Sequence, residues 1–231
     1  MGGSGHRATV RALLDRHGRT YAEEAAIRLG DAPQPLYQLL VLAHLLSARI
    51  RAATAVAAAR ALFDAGLRDA RRMRDATWRQ RVAALGEGGY RRYDERTATQ
   101  LGKAAELVLD RYGGDLRRLR EKAGGDPDAV GALLQEVPGI GPAGAAIFLR
   151  EVQGVWPDCA PYLDGKALDG AERLGLPADP GELAALVGRA ELPALAAALV
   201  RAALDRSVAD YVLEADGGVA AGDTGGRDSR R

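Results

Sequence analysis

The sequence has few of the residues from which metal centres and disulfide frameworks are built. Its 231 residues include one cysteine, Cys159, and three scattered histidines, His6, His17 and His44. A single cysteine excludes a disulfide within the chain and a four-cysteine iron–sulfur cluster, and the histidines lack the spacing of metal ligands. We therefore expect no metal held by side chains.

Lysine and aromatic residues are also scarce. The only lysines are Lys103, Lys122 and Lys166, and aromatic residues make up 5% of the chain. Few lysines leave few candidate amine nucleophiles. Apolar residues amount to 47%, much of it alanine, which favours closely packed helices over a sandwich or a barrel. The composition therefore predicts an all-α protein.

An excess of one charge and long apolar runs are missing as well. The chain has 32 basic and 31 acidic residues, so a nucleic-acid surface would require local clustering of arginine. No apolar segment reaches the ~20 residues of a membrane span, and the start lacks the apolar core of a signal peptide. We expect a cytoplasmic protein, associated with the nucleoid if it binds DNA.

Apolar periodicity divides the chain into helices and connections. Residues 1–7 are predicted as a flexible N-terminus, 31–35 as a proline-containing linker and 215–231 as a disordered tail rich in Gly, Asp and Arg. The predicted helices are 8–29 with a break near 17–18, 36–46, 52–65, 97–112, 116–122, 167–174, 180–189 and 192–213. The six arginines of 68–81 are interpreted either as a solvated face or as phosphate contacts.

The motif with the clearest chemistry is the segment V-P-G-I-G, Val137–Gly141. Before it, Asp126 and Pro127 are typical of an N-cap and a first helical position. After it, the residues from Pro142 onward predict a second helix. A glycine turn between two helices can bind phosphate through backbone N–H groups. The same pattern is also compatible with a plain αα-hairpin.

A second segment follows about two dozen residues later and reads Y-L-D-G-K-A-L-D-G-A-E-R-L-G-L, starting at Tyr162. Together with the hairpin it resembles the helix-hairpin-helix superfamily of DNA glycosylases, the endonuclease III group. That group has P-G-[VI]-G followed by an Asp-containing segment and a helix ending in R-L-G-L. Upstream, the helix from Pro35 to Arg49 is similar to the family's P-F-E-L-L-x-x-x-x-L-L-S-A-Q, and Asp110–Leu116 to its pre-hairpin element. The resemblance covers about residues 30–200.

The resemblance implies two helical lobes with a DNA-binding cleft between them. One lobe would comprise residues 8–30 and 177–214. The other would comprise residues 35–176, with the helix-hairpin-helix at about 127–153. The implied partner is double-stranded DNA carrying a damaged or mispaired base, bound by a monomer.

The resemblance also implies DNA contacts at particular positions. In the hairpin they are Gly139, Ile140, Gly141, Ala143 and Gly144. Arg49 stands where relatives have Gln, and a glycine-rich loop at 85–96 carries Arg92 for phosphate and Tyr93 as a wedge between bases. A tyrosine of this loop could instead anchor it to the core. Relatives often bind a monovalent cation at hairpin carbonyls, which here would be those of Val137 and Gly139.

The position that matches the family's catalytic carboxylate is Asp164. A carboxylate there would stabilise the positive charge that develops on the sugar when an N-glycosidic bond breaks. The alternative is that Asp164 only caps the following helix.

Bifunctional relatives carry a lysine after the hairpin, and here that position is Ala143. The expected activity is therefore monofunctional: hydrolysis of the bond to a flipped-out base. Two alternatives remain, a glycosylase and lyase that uses Lys166, and a non-catalytic protein that binds distorted DNA. The sequence leaves open whether an alkylated, oxidised, deaminated or bulky base is removed.

Overall fold

The computed structural model describes residues 3–221, and no strand occurs among them, which confirms the all-α prediction. The helices are α1 (Gly3–His17), α2 (Tyr21–Glu24), α3 (Pro33–Leu46), α4 (Ala52–Asp64), α5 (Ala70–Asp75), α6 (Trp78–Glu87), α7 (Asp94–Tyr112), α8 (Arg117–Lys122), α9 (Pro127–Gln135), α10 (Pro142–Val152), α11 (Gly165–Arg173), α12 (Pro180–Ala184), α13 (Leu192–Leu204) and α14 (Arg206–Ala221). Short 3₁₀ turns occupy Pro157–Cys159 and Arg189–Glu191. None of these helices combines the length and apolar character that crossing a membrane requires.

The chain divides into two compact units. One contains Thr20–Ala160, and the described part of the other is residues 3–19 with 161–221. The predicted lobe boundaries, 8–30 with 177–214 and 35–176, remain a prediction.

The larger unit is organised around α3, whose faces are nearly all buried. It packs against α4 and α10, while α6 packs against α4 and α7, and α5 against α7. The region 31–35 was predicted as a linker because of its two prolines. The structure instead starts α3 at Pro33, since proline is tolerated in a first helical turn, where the missing N–H has no partner.

A buried arginine ties three helices of this unit together. Arg81 of α6 is 9% exposed and donates to the carbonyls of Ala98 at 2.8 Å, Met73 at 2.9 Å and Ala76 at 2.6 Å. Burial lowers the pKa of its guanidinium. From the sequence, this arginine was interpreted either as solvated or as a phosphate contact, and both interpretations were wrong. Its guanidinium instead donates hydrogen bonds to carbonyls at the end of α5 and within α7.

Replacing Arg81 by Met should lower the free energy of unfolding by about 2–4 kcal/mol, because buried carbonyls lose their donors. Urea unfolding followed by circular dichroism measures this. Arg79→Met, at an exposed position of the same helix, is the control and should change stability by less than about 0.5 kcal/mol. Equal effects of the two substitutions would contradict the structural role of Arg81.

The smaller unit places α1 and α11 against α13, and α1 also against α14. Its core includes Val10, Leu13, Leu163 and Leu199. Gly170 lets α11 approach α13 closely, since a Cβ there would lie 1.9 Å from the carbonyl oxygen of Leu199.

The described part of the chain is more helical at both of its ends than predicted. Helix α1 begins at Gly3, within the segment predicted as flexible. Asp205 is extended and separates α13 from α14, where one helix was expected. Helix α14 runs to Ala221, into the predicted disordered tail; residues 1–2 and 222–231 lie outside the described part.

Candidate nucleic-acid interface

The predicted hairpin is present as α9, a turn at 136–141 and α10. The Asp126 side chain accepts from the N–H of Ala129 at 2.8 Å, and Pro127 occupies the first turn of α9. The turn closes through the N–H of Ile140, which donates to the carbonyl of Val137 at 3.0 Å. Val137 and Ile140 are buried, so the turn is fixed to the core of the larger unit.

Position 139 requires glycine because of both its backbone conformation and its surroundings. Its φ is +90°, in the left-handed region that disfavours side chains. A Cβ would lie 2.3 Å from Cε1 and 2.4 Å from Nε2 of His44. The hairpin tip therefore packs directly on the imidazole of α3.

Gly141 differs from Gly139, because nothing in the protein demands glycine there. Its φ and ψ are −98° and −171°, which any residue adopts, and a Cβ would meet no atom within 4 Å. The backbone here borders open space, where a ligand can come close.

The start of α10 presents a group of unpaired backbone donors. Among the residues that the structure describes, the N–H groups of Gly139, Gly141, Ala143 and Gly144 have no hydrogen-bond partner. They lie at the positive end of the macrodipole of an 11-residue helix. The N–H of Ile140, a residue also expected to contact DNA, donates to the carbonyl of Val137 inside the turn.

The carbonyls proposed for a monovalent cation are in part engaged. The oxygen of Val137 accepts the N–H of Ile140, which leaves one lone pair, and none of the described hydrogen bonds involves the oxygen of Gly139. Carbonyl oxygens are suitable ligands for a hard cation, and the remaining ligands would come from solvent or phosphate.

A cavity of about 400 Å³ adjoins the hairpin tip within the larger unit. Its lining combines aromatic, cationic and polar side chains with Gly139: His44, Ser47, Ala48, Arg49, Tyr90, Tyr93, Arg96, Thr97, Gln100 and Gly139. The predicted DNA contacts Arg49 and Tyr93 thus lie at one cavity. Arg92 is exposed, and its guanidinium lies 5.3 Å from the ring centre of Tyr93.

The two tyrosines of this loop have different environments. Tyr90 is 2% exposed and its hydroxyl accepts from Thr97 at 3.3 Å; burial raises its pKa. Tyr93 is half-buried at the cavity. Tyr90 is therefore the residue that anchors the loop, and Tyr93 keeps an accessible face.

His44 and Gln100 form a polar pair in the cavity wall. His44 is 5% exposed and its Nε2 lies 3.2 Å from Oε1 of Gln100. Burial lowers the pKa of His44, the hydrogen bond to Gln100 opposes that shift, and the charge of Arg96 adds to it. A neutral imidazole donates from one nitrogen, and because an amide oxygen only accepts, that nitrogen is Nε2.

Asp164, in the smaller unit, is the N-cap of α11. Its Oδ1 accepts from the N–H of Ala167 at 3.2 Å, and the residue is half-buried. It lies between the buried Leu163 and the exposed Gly165. The capping role anticipated as an alternative is thus observed.

Lys166, two residues later, is exposed and ion-paired. Its Nζ lies 2.6 Å from Oδ2 of Asp169, one turn along α11. An exposed pair of this kind contributes at most about 1 kcal/mol, so it can exchange for another anion.

The described residues contain no group of three or more His, Cys, Asp or Glu side chains that could hold a metal ion. Cys159 is buried, and burial raises the pKa of its thiol to about 11. A thiol so far from ionisation at neutral pH is a packing residue.

Among the polar side chains of the cavity, His44 and Gln100 were not identified from the sequence as site residues. His44 carried a usable signal, since a histidine inside an otherwise apolar helix requires a polar partner. Gln100 lies on α7, whose periodicity indicated only a helix, and Arg96, predicted in the loop at 85–96, lies in the first turn of that helix.

Comparison with known proteins identifies the fold. No family model and no curated protein matches the sequence. Solved structures do, among them "Structure of a non-covalent Endonuclease III-DNA Complex" and "Structure of a Trapped Endonuclease III-DNA Covalent Intermediate: Estranged-Adenine Complex". The first has a TM-score of 0.54 at 16% identity, covering 87% of this chain and 85% of that one. The second has a TM-score of 0.47 at 18% identity, with 84% of each chain covered. The chain therefore has the all-helical fold of the endonuclease III chain in the non-covalent complex.

Proposed function

We propose that this protein is a DNA glycosylase that hydrolyses the bond between a flipped-out base and its sugar, without a covalent enzyme intermediate. The observation that carries the proposal is the hairpin tip. Four N–H groups that make none of the described hydrogen bonds lie there at or next to a helix N-terminus, beside an open backbone at Gly141. The endonuclease III fold, whose solved structure is a DNA complex, supports the same ligand.

The hairpin would bind a backbone phosphate of duplex DNA. Phosphate oxygens accept hydrogen bonds from backbone N–H groups at a helix start, and such contacts position DNA without reading its sequence. The exposed guanidinium groups of Arg49 and Arg92 would add charge pairing to neighbouring phosphates. Because the whole chain is nearly neutral, these local donors would supply most of the attraction.

Asp164 would supply the chemistry. As the glycosidic bond lengthens, positive charge develops on the sugar, and a carboxylate close to C1′ stabilises it. The same carboxylate can orient the attacking water. Its Oδ1 is held by the N–H of Ala167, so the carboxylate is fixed in orientation before DNA binds.

The absence of a lysine in the first turn of α10 supports the hydrolytic route. Ala143 occupies the position at which bifunctional relatives of the resembled family carry their nucleophile, and its methyl group cannot attack a sugar. A monovalent cation at the carbonyls of Val137 and Gly139 would add positive charge beside the bound phosphate. The proposal does not depend on it.

The test is incubation of the full-length protein with duplexes that each contain one modified or mispaired base. The modifications should span alkylated, oxidised, deaminated and bulky bases, with abasic sites scored by alkaline cleavage. Release of at least one base class, without strand cleavage before alkali, is expected. Tight binding without base release from any duplex would instead favour the alternative function, recognition of distorted DNA, which the capping role of Asp164 permits.

Borohydride should trap no covalent adduct with abasic DNA, and Lys166→Met should release base at a rate within about threefold of wild type. The reason is that Lys166 is ion-paired with Asp169 and serves at most as a backbone contact. Gel mobility of the trapped protein measures this. An adduct that wild type forms and Lys166→Met lacks would establish the lyase alternative.

A further inference from the structure

The cavity beside the hairpin tip has a polarity that restricts what can fill it. Its wall places Arg49, Arg96 and Gln100 around a space of about 400 Å³, with Tyr93 on one side. Ser47 donates its hydroxyl proton to the carbonyl of His44 at 2.7 Å, so it offers the cavity only an acceptor. Hydrogen-bond donors therefore dominate the lining.

The orientation of the Gln100 amide is set by His44, its neighbour in the cavity wall. The amide oxygen accepts from Nε2 of His44 at 3.2 Å. The ring of His44 is itself held in place, since the Gly139 backbone covers it at a distance that excludes even a Cβ. With its oxygen so engaged, Gln100 presents its NH₂ group as a donor.

We infer that this cavity receives an unpaired nucleobase with a carbonyl acceptor, which stacks on Tyr93 and is selected by Gln100. The inference takes DNA as the ligand and so rests on the proposed function. Every base has a π-face and can stack on an aromatic ring. Tyr93 therefore contributes affinity but no selectivity among bases. The NH₂ group of Gln100 provides the selectivity. It donates a hydrogen bond to a carbonyl oxygen of the base and loses that bond when the base has no carbonyl. His44 is a positioning residue that acts through Gln100.

Two bases separate these contributions. Hypoxanthine and unsubstituted purine have the same ring system but differ in the carbonyl at C6. Each is placed opposite an abasic-site analogue in one duplex sequence, and dissociation constants are measured by fluorescence anisotropy with the full-length protein. Wild type should bind the hypoxanthine duplex about fivefold more tightly, the effect of one hydrogen bond.

Three variants assign the effect to residues. Gln100→Leu should bring the ratio of the two constants close to one. His44→Phe keeps a ring under Gly139 but lacks the N–H, and it should also reduce the ratio, whereas a merely structural role would weaken both duplexes equally. Tyr93→Leu should weaken binding of both duplexes about tenfold and leave the ratio of their dissociation constants unchanged. Thermal melting establishes that each variant is folded.

The outcomes separate this inference from the proposed function. Equal affinity of wild type for the two duplexes, or a ratio that Gln100→Leu leaves unchanged, overturns the inference even where base release is observed. Such a result would fit a phosphate in the cavity. A ratio that depends on Gln100 in a protein that releases no base supports the inference and overturns only the glycosylase assignment. Failure to bind any duplex overturns both.

Discussion

Asp164→Asn is expected to slow base release by about 10²–10³-fold, the range found when one group that stabilises transition-state charge is removed. Asn is as good an N-cap as Asp, so the hydrogen bond from the N–H of Ala167 is kept while the charge is lost. Single-turnover release of the best base from the duplex panel measures the effect. Affinity for the same duplex should change by less than about threefold.

The matched control for this substitution lies in the same unit. Asp179 caps α12 through its Oδ1 and the N–H of Glu182 at 2.8 Å, the same bond that Asp164 makes on α11. Asp179→Asn should leave both the rate of release and the melting temperature unchanged. Wild-type rates for Asp164→Asn would show that its carboxylate is only a cap.

Gly141→Asp is expected to weaken DNA binding by about 100-fold without destabilising the protein. Asp is favoured at the first position before a helix, and no atom obstructs its Cβ here. Its carboxylate would accept from the N–H groups of α10 and would repel a phosphate from the same donors. Binding titrations at fixed salt measure the affinity, because the salt concentration alone changes it strongly.

The control for the added charge is Gly30→Asp. Gly30 also lies in the larger unit and a Cβ there meets nothing within 4 Å, so the net charge changes equally at a site away from the hairpin. Its effect on affinity should stay below about threefold. Comparable losses for the two variants would mean that charge, and not the hairpin, determines binding.

Gly139→Ala should behave in the opposite way, because the strain there is internal. A left-handed conformation costs about 1–2 kcal/mol for a residue with a side chain, and the clash with His44 adds to that. We expect the free energy of unfolding to fall by about 2–4 kcal/mol. A stable Gly139→Ala variant would contradict the close packing of the hairpin tip on α3.

The local elements of the hairpin could be predicted from the sequence because their determinants are local. Asp126 and Pro127 specify where α9 begins, and Gly139 allows the positive φ of the turn. The contact of Gly139 with His44 joins residues 95 positions apart, and no spacing rule indicates it. It follows from the packing of α10 against α3.

The errors of the sequence interpretation also have physical causes. Arg81 belongs to a run of arginines that resembles a surface, but its guanidinium replaces water as the donor to three carbonyls. Pro33 and Pro35 were expected to deny a helix, yet they lie where a helix needs no N–H. The role of Asp164 could not be decided from its neighbours, because a cap and a catalytic carboxylate require the same residue at the same helix start.

The central claim is that the hairpin binds a backbone phosphate of the DNA strand that loses its base. Methylphosphonates placed one at a time along the base-losing strand remove a single phosphate charge each, and single-turnover base release measures each effect. The account predicts that base release slows at least about tenfold when one or two particular phosphates of that strand are replaced, and that these replacements cause no further loss in Gly141→Asp. Small and uniform effects at every phosphate would contradict it.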